Sequence, residues 1–402
     1  MIKRWLVRLA KTAARLRSAG MMRRSEWAAL VLIQTLLLPA AQPALGAEPD
    51  ASAASGILID AGSGQILWER DAHERRPVAS TTKILTGILV IEHAKLSDTV
   101  QATEEATEAG GAEIYLDPGE KRTVDELLYA MMLKSANDAA AALAIHVGGS
   151  IEGFSDLMNR KALALGARDS HFSSPNGLHQ PDHYSSAHDL ALIARYAMKN
   201  TTFRRLVSTK RRVIPWPGKQ YARTLNNHNG LLERYPSAIG IKTGYTRQAG
   251  QCLVSAARKG DRELIAVLLK SPSGESLYRD STALLEFGFN EFRPATVLKS
   301  GQAVAKIRRQ NTSLPLVAGR DLTALLPLEG AETEILAMPS GKLSGTFRSG
   351  RDVGQAAVFS KGHLAGKVPL VVGKLPKDYE QRLDRRGALT RAWQWVRGLF
   401  GS

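Results

Sequence analysis

Cysteine is nearly absent from this 402-residue chain: Cys252 is the only one. An internal disulfide is therefore excluded, and the fold must hold by packing alone. No CxxC, no HExxH and no cluster of histidines occurs, so neither a metal site nor a cofactor is expected. Long apolar runs are scarce too. The longest, Trp27 to Ala41, is broken by Gln34 and Thr35 and is short for a membrane span. Acidic residues are the remaining shortage, 38 against 54 Lys and Arg, which gives a net charge of +16.

A surplus of that size invites a nucleic-acid reading, but its location argues otherwise. Residues 1–46 hold eight basic side chains and one acid, so seven of the sixteen charges lie there. That stretch has basic residues, an apolar run and then Ala44-Leu45-Gly46-Ala47, the pattern of an export leader cleaved near Gly46 or Ala47. The mature chain is expected outside the cytoplasm, with no nucleic-acid partner and no base-stacking aromatic stripe. Hydrophobic residues at 44% and charged residues at 23% are globular usage, and the length suits two domains.

Ile57 to Asp60 and Ile66 to Glu69 flank a Gly-Ser turn and predict a β-hairpin. Helical periodicity follows at 80–94, 124–134, 138–147, 151–165 and 187–199. Strands are then expected at Cys252 to Ala257 and Leu264 to Lys270, with a helix through Leu284 and Phe287. Strands from both ends of this region can pair in one antiparallel sheet with helices against it, an α+β arrangement. The domains are expected as a signal peptide over 1–47, an α+β domain over 48–292, an all-β domain over 293–375 and a basic amphipathic helix over 376–402. In that helix Leu389, Ala392, Trp393, Val396 and Phe400 share a face and five arginines supply charge, which suits a bilayer surface. Docking on its own protein is the alternative.

Three short motifs carry chemistry. Ser80-Thr81-Thr82-Lys83 puts a hydroxyl and an amine three residues apart at a helix start, within hydrogen-bonding reach. Serine is a weak nucleophile, and a lysine kept neutral by burial and neighbouring positive charge can take its proton. Ser135-Ala136-Asn137 lies between two helices, where Ser or Asn could equally be a cap. Ser174-Pro175-Asn176 matches the same pattern but reads better as a turn. Lys242-Thr243-Gly244 sits at a strand-like edge; a lysine and a hydroxyl there could hold a carboxylate, and the glycine could admit a substrate backbone.

Each motif alone is commonplace, but in this order SxxK, SxN and KTG form the signature of penicillin-recognising serine enzymes. With their flanks they resemble the low-molecular-mass D-alanyl-D-alanine carboxypeptidases of serine peptidase family S11, over most of residues 55–375. The resemblance implies a β-lactamase/transpeptidase-like fold and a serine-type carboxypeptidase that takes the terminal D-alanine from peptidoglycan stem peptides through an acyl-enzyme. β-Lactams would be covalent inhibitors. It implies Ser80 as nucleophile, Lys83 as base, Ser135 as proton relay and Asn137 holding substrate backbone. Lys242 and Thr243 would bind the terminal carboxylate beside Gly244, and the amides of Ser80 and Tyr245 would form the oxyanion hole. It also implies that the β domain and terminal helix hold the enzyme at the outer face of the cytoplasmic membrane. His228 departs from the pattern, since some members carry arginine there.

Three other readings compete. A class A β-lactamase needs a glutamate to activate the deacylating water, and no ExxxN-type element lies between Ser135 and Lys242. A D,D-endopeptidase would use the same residues. A silent wall-binding scaffold would not need Ser80, Lys83, Ser135 and Lys242 intact.

Overall fold

The computed structural model describes residues 34–35, 48–309, 312–340, 347–377 and 379–380. The chain divides into two compact units, Gly46–Glu291 and a second that begins at Phe292. The stretch expected as a leader, apart from 34–35, and nearly all of the segment expected as a terminal helix lie outside the described residues. Among the described residues no helix is long and apolar enough to cross a membrane.

The first unit is built on a five-stranded antiparallel sheet. Its strands are β1 (Ser55–Asp60), β2 (Ile66–Arg70), β3 (Ala238–Thr246), β4 (Gly250–Lys259) and β5 (Arg262–Ser271). Their order is β2-β1-β5-β4-β3, so the first strand of the unit closes against the last. Leu264 pairs with Asp60 and Leu269 with Ser55. Six consecutive buried residues in β4 and six in β5 require cover on both faces of the sheet. Helices α5 (Ala187–Ala197) and α7 (Gly274–Asn290) supply it on β5.

The helical layer is α1 (Lys83–His93), α2 (Val124–Leu133), α3 (Asn137–Gly148), α4 (Ile151–Ala164) and α6 (Thr201–Ser208), besides α5. Six successive residues of α3, Ala139 to Ala144, are buried, five of them alanine; a helix apolar all round belongs in a core, and its small side chains let α1, α2 and α4 approach. A Thr123–Glu126 capping box starts α2. The predicted hairpin, both strands and every helix predicted within this unit lie close to their expected places. The helix expected from residue 80 begins as a 3₁₀ turn, Ala79–Thr82, before α1.

The second unit is all β. It contains β6 (Phe292–Leu298), β7 (Ala303–Arg309), β8 (Thr312–Ala318), β9 (Leu322–Pro327), β10 (Thr333–Pro339), β11 (Asp352–Ser360) and β12 (His363–Val372). Strands β10-β11-β12-β8-β7 form one sheet and β6 pairs with β9. Leu314, Leu316, Phe347, Val358 and Leu370 fill its core.

Candidate active site

The 3₁₀ turn before α1 presents Ser80, and two glycines permit it. A Cβ on Gly177 would lie 2.0 Å from the Ala79 carbonyl oxygen, and one on Gly244 would lie 2.9 Å from the Ser80 amide nitrogen. Both backbones therefore press directly on the turn, which only glycine allows. Ala79 at φ 47° and Ser135 at φ 62° hold left-handed backbone that non-glycine residues rarely adopt, a pattern that marks functional sites. Helix α3 is capped by Ala136 with no side-chain bond, so neither Ser135 nor Asn137 serves as its cap.

The motif residues converge. Lys83 Nζ, fully buried, lies 3.0 Å from Ser80 Oγ, 2.6 Å from Asn137 Oδ1 and 2.8 Å from the Asn176 carbonyl oxygen. Asn137 Nδ2 donates to the Gly110 carbonyl at 2.6 Å, which turns the amide oxygen toward Lys83. Lys242 Nζ donates to Ser135 Oγ at 3.1 Å and to the Thr243 carbonyl at 2.9 Å. A cleft of about 330 Å³ opens over these groups, lined by Ser80, Ser135, Asn137, Thr243, Gly244 and Tyr245 among others. Lys83 and Lys242 stand behind its wall.

Charge follows from burial. Lys83 is held well below its ordinary value by desolvation first and by the charge of Lys242 second, with Asp138 opposing. Desolvation brings Lys242 down to about 7. His228, in the cleft wall, is pushed down to about 4 by desolvation and then by Lys134 and Lys242, so it is neutral at pH 7. No group of His, Cys, Asp or Glu able to hold a metal ion occurs among the described residues.

Reading the sequence missed the Ser174–Gly177 turn as part of this site. Ser174-Pro175-Asn176 forms no second SxN site; it is a buried turn whose Asn176 carbonyl reaches Lys83. Thr86 Oγ1 donates to the Pro175 carbonyl at 2.6 Å, and Thr82 Oγ1 sits 2.8 Å from His183 Nε2. The Ser173 amide donates to His183 Nδ1 at 3.2 Å, so the neutral ring carries its proton on Nε2 and donates to Thr82. Thr82, which caps α1, and Thr86, one turn into it, thus meet the segment that meets Lys83. A backbone acceptor has no residue-type signature, but the Thr-Lys-x-x-Thr spacing was visible.

Fold and site together define a serine acyl-transfer enzyme. The family described as D-alanyl-D-alanine carboxypeptidase, peptidase S11, matches residues 42–273. D-alanyl-D-alanine carboxypeptidase DacF of Bacillus subtilis (strain 168) is 36% identical over 268 residues, covering 64% of this chain and 67% of that protein. Penicillin binding protein 5 from Haemophilus influenzae superposes with a TM-score of 0.66 at 26% identity, over 82% of this chain and 99% of the other. A mutant of the Streptomyces K15 DD-transpeptidase gives 0.58 at 35% identity, over 60% and 99%. The chain belongs to the D-alanyl-D-alanine carboxypeptidase family S11, and it is a serine-type peptidase with that family's mixed helix and antiparallel-sheet fold.

Proposed function

We propose that this enzyme removes the terminal D-alanine from peptidoglycan stem peptides through an acyl-Ser80 intermediate. The contact of Lys83 Nζ with Ser80 Oγ at 3.0 Å carries the reading, because the same amine is held by two fixed carbonyl acceptors. A neutral amine has two N–H groups and one lone pair. With Asn137 Oδ1 and the Asn176 carbonyl taking the N–H groups, the lone pair points at Ser80.

Ser80 Oγ attacks the carbonyl between the last two residues as Lys83 takes its proton. The amides of Ser80 and Tyr245 receive the oxyanion. Ser135 relays a proton to the amine and is reprotonated from Lys83, the C–N bond breaks and D-alanine leaves. Water then attacks the ester, frees the shortened peptide and restores Ser80. Asn137 aligns the substrate backbone along β3 beside Gly244. Lys242 and Thr243 bind the terminal carboxylate, whose charge favours the protonated form of Lys242. A β-lactam acylates the same serine.

Residues 1–47 act as an export leader, and the basic helix of 376–402 holds the enzyme on the outer face of the cytoplasmic membrane, in the periplasm. The arginines and tryptophans of that segment support this placement.

The test is D-alanine release from a peptide ending in Lys-D-Ala-D-Ala by residues 48–380. Release should vanish in Ser80→Ala and under benzylpenicillin. Folded wild type that spares this peptide but cuts cross-linked dimers would make the enzyme an endopeptidase.

A further inference from the structure

Beside the cleft lies a basic, aromatic surface that the chemistry above does not use. Gly111 and Ala112 line the cleft, and Tyr115 follows three residues on, within roughly 10 Å along the chain. Tyr115 is 69% exposed at φ 58°. Its carbonyl accepts from Arg223 Nη2 at 2.7 Å. Arg223 is anchored on Glu120 and belongs to the hairpin Arg211–Ile214/Arg223–Asn226. Trp216 lies over the Arg223 guanidinium at 4.4 Å, and Tyr221, 64% exposed, meets Trp216 edge-on at 5.5 Å. Tyr115, Arg223, Trp216 and Tyr221 are thus linked contact by contact, starting three residues along the chain from the cleft wall.

The hairpin is also one-signed. Between Thr209 and Asn227 there are five basic residues and no acid. Lys210, Arg212 and Arg223 have carboxylate partners, whereas exposed Arg211 and Lys219 form no ion pair among the described residues. Exposed aromatic faces are suited to stack on sugar rings, and unpaired cations to receive carboxylates.

We propose that this hairpin and Tyr115 bind the polymer-borne part of the substrate, an acidic glycopeptide, whose stem end enters the cleft. The occupant rests on the carboxypeptidase reading above. Charge complementarity and continuity with the cleft select it: the glycan supplies rings and the stem peptide supplies free carboxylates.

The experiment compares diacetyl-Lys-D-Ala-D-Ala with disaccharide-pentapeptide as substrates for Tyr221→Ala, Lys219→Glu and Arg211→Glu, all at exposed positions. On the short peptide all three should match wild type. On disaccharide-pentapeptide KM should rise roughly five- to tenfold with kcat unchanged. Equal effects on both substrates, or none on either, would overturn the proposal. Binding of disaccharide-pentapeptide to Ser80→Ala, with and without Tyr221→Ala, separates the two readings. If wild type cleaves neither substrate but Tyr221→Ala still weakens this binding, the surface stands and the reaction does not; binding unchanged by Tyr221→Ala sinks the surface.

Discussion

The Asn176 carbonyl oxygen lies 2.8 Å from Lys83 Nζ, and this backbone acceptor is held there by a side chain one helical turn beyond the lysine. Thr86 Oγ1 donates to Pro175, the residue before Asn176, in a fully buried site. Thr86→Val keeps the shape and removes the donor. It should cost about 1–3 kcal/mol of stability, because a buried carbonyl loses its partner. Acylation by a fluorescent penicillin should slow by about tenfold as Asn176 drifts from Lys83. Thr86→Ser should recover most of that rate. Acylation at the wild-type rate in a folded Thr86→Val protein would show that the turn needs no such tether.

Gly244→Ala examines the opposite side of the nucleophile. The added methyl would lie 2.9 Å from the Ser80 amide nitrogen and 3.0 Å from both the Thr81 nitrogen and the Val78 carbonyl oxygen. Backbone must move, and one donor assigned to the oxyanion moves with it. The expected loss is about 10²- to 10³-fold in kcat, the scale of one missing oxyanion donor. Circular dichroism should be unchanged. A loss confined to KM would point to substrate backbone alignment instead.

Much of this was legible in the sequence because apolar periodicity reports burial. Ile57 to Asp60, Cys252 to Ala257 and Leu264 to Lys270 all lie in sheet strands, and their runs of buried residues are what two-sided cover demands. Motif spacing brought Ser80, Lys83, Ser135, Asn137 and Lys242 together. Helix Thr201–Ser208 and the hairpin at Arg211–Asn226 went unread. The hairpin exposes Arg211, Arg212 and Val213 in succession, so its alternation is lost in charge. The Asn176 acceptor was illegible for another reason: it is a carbonyl that every residue type carries.

Lys242 sets an upper pH limit. Its value of about 7 lies below the ordinary 10.5, so the charged form that binds a carboxylate declines above neutrality. In the free enzyme kcat/KM should fall above about pH 7, and below the optimum it should fall as Lys83 gains its proton. The stability effect has the opposite pH sense. The unfolded chain binds this proton more readily, so the penalty is complete below pH 7 and is relieved as pH rises toward 10.5. Lys242→Met should therefore be more stable than wild type by about 1–3 kcal/mol at neutral pH, while turning over no substrate. Thermal melts at about pH 6 and pH 9 should show this advantage shrinking with pH. A mutant less stable at both would mean that the bonds to Ser135 and Thr243 outweigh burial.

Glu120 tests the frame around the cleft. Its side chain, 4% exposed, accepts from Arg122 Nε at 2.7 Å and from Arg223 Nη1 and Nη2 at 2.5 and 2.9 Å. Burial alone would raise its pKa, but the bonds from Arg223 and then Arg122 outweigh that and lower it. The stabilisation is thus present above the unfolded value of 4.5 and lost as pH falls through the lower folded one. Glu120→Gln removes the carboxylate partner of buried Arg223 and leaves buried Arg122 with Glu126 alone, at 3.5 Å, and should cost about 3–5 kcal/mol. Its melting temperature should also lose part of the acid dependence seen in wild type. Because Arg223 holds the Tyr115 carbonyl beside the cleft, the variant should lose disaccharide-pentapeptide affinity before it loses turnover of the short peptide. Loss of both in parallel would assign Glu120 to the catalytic frame itself.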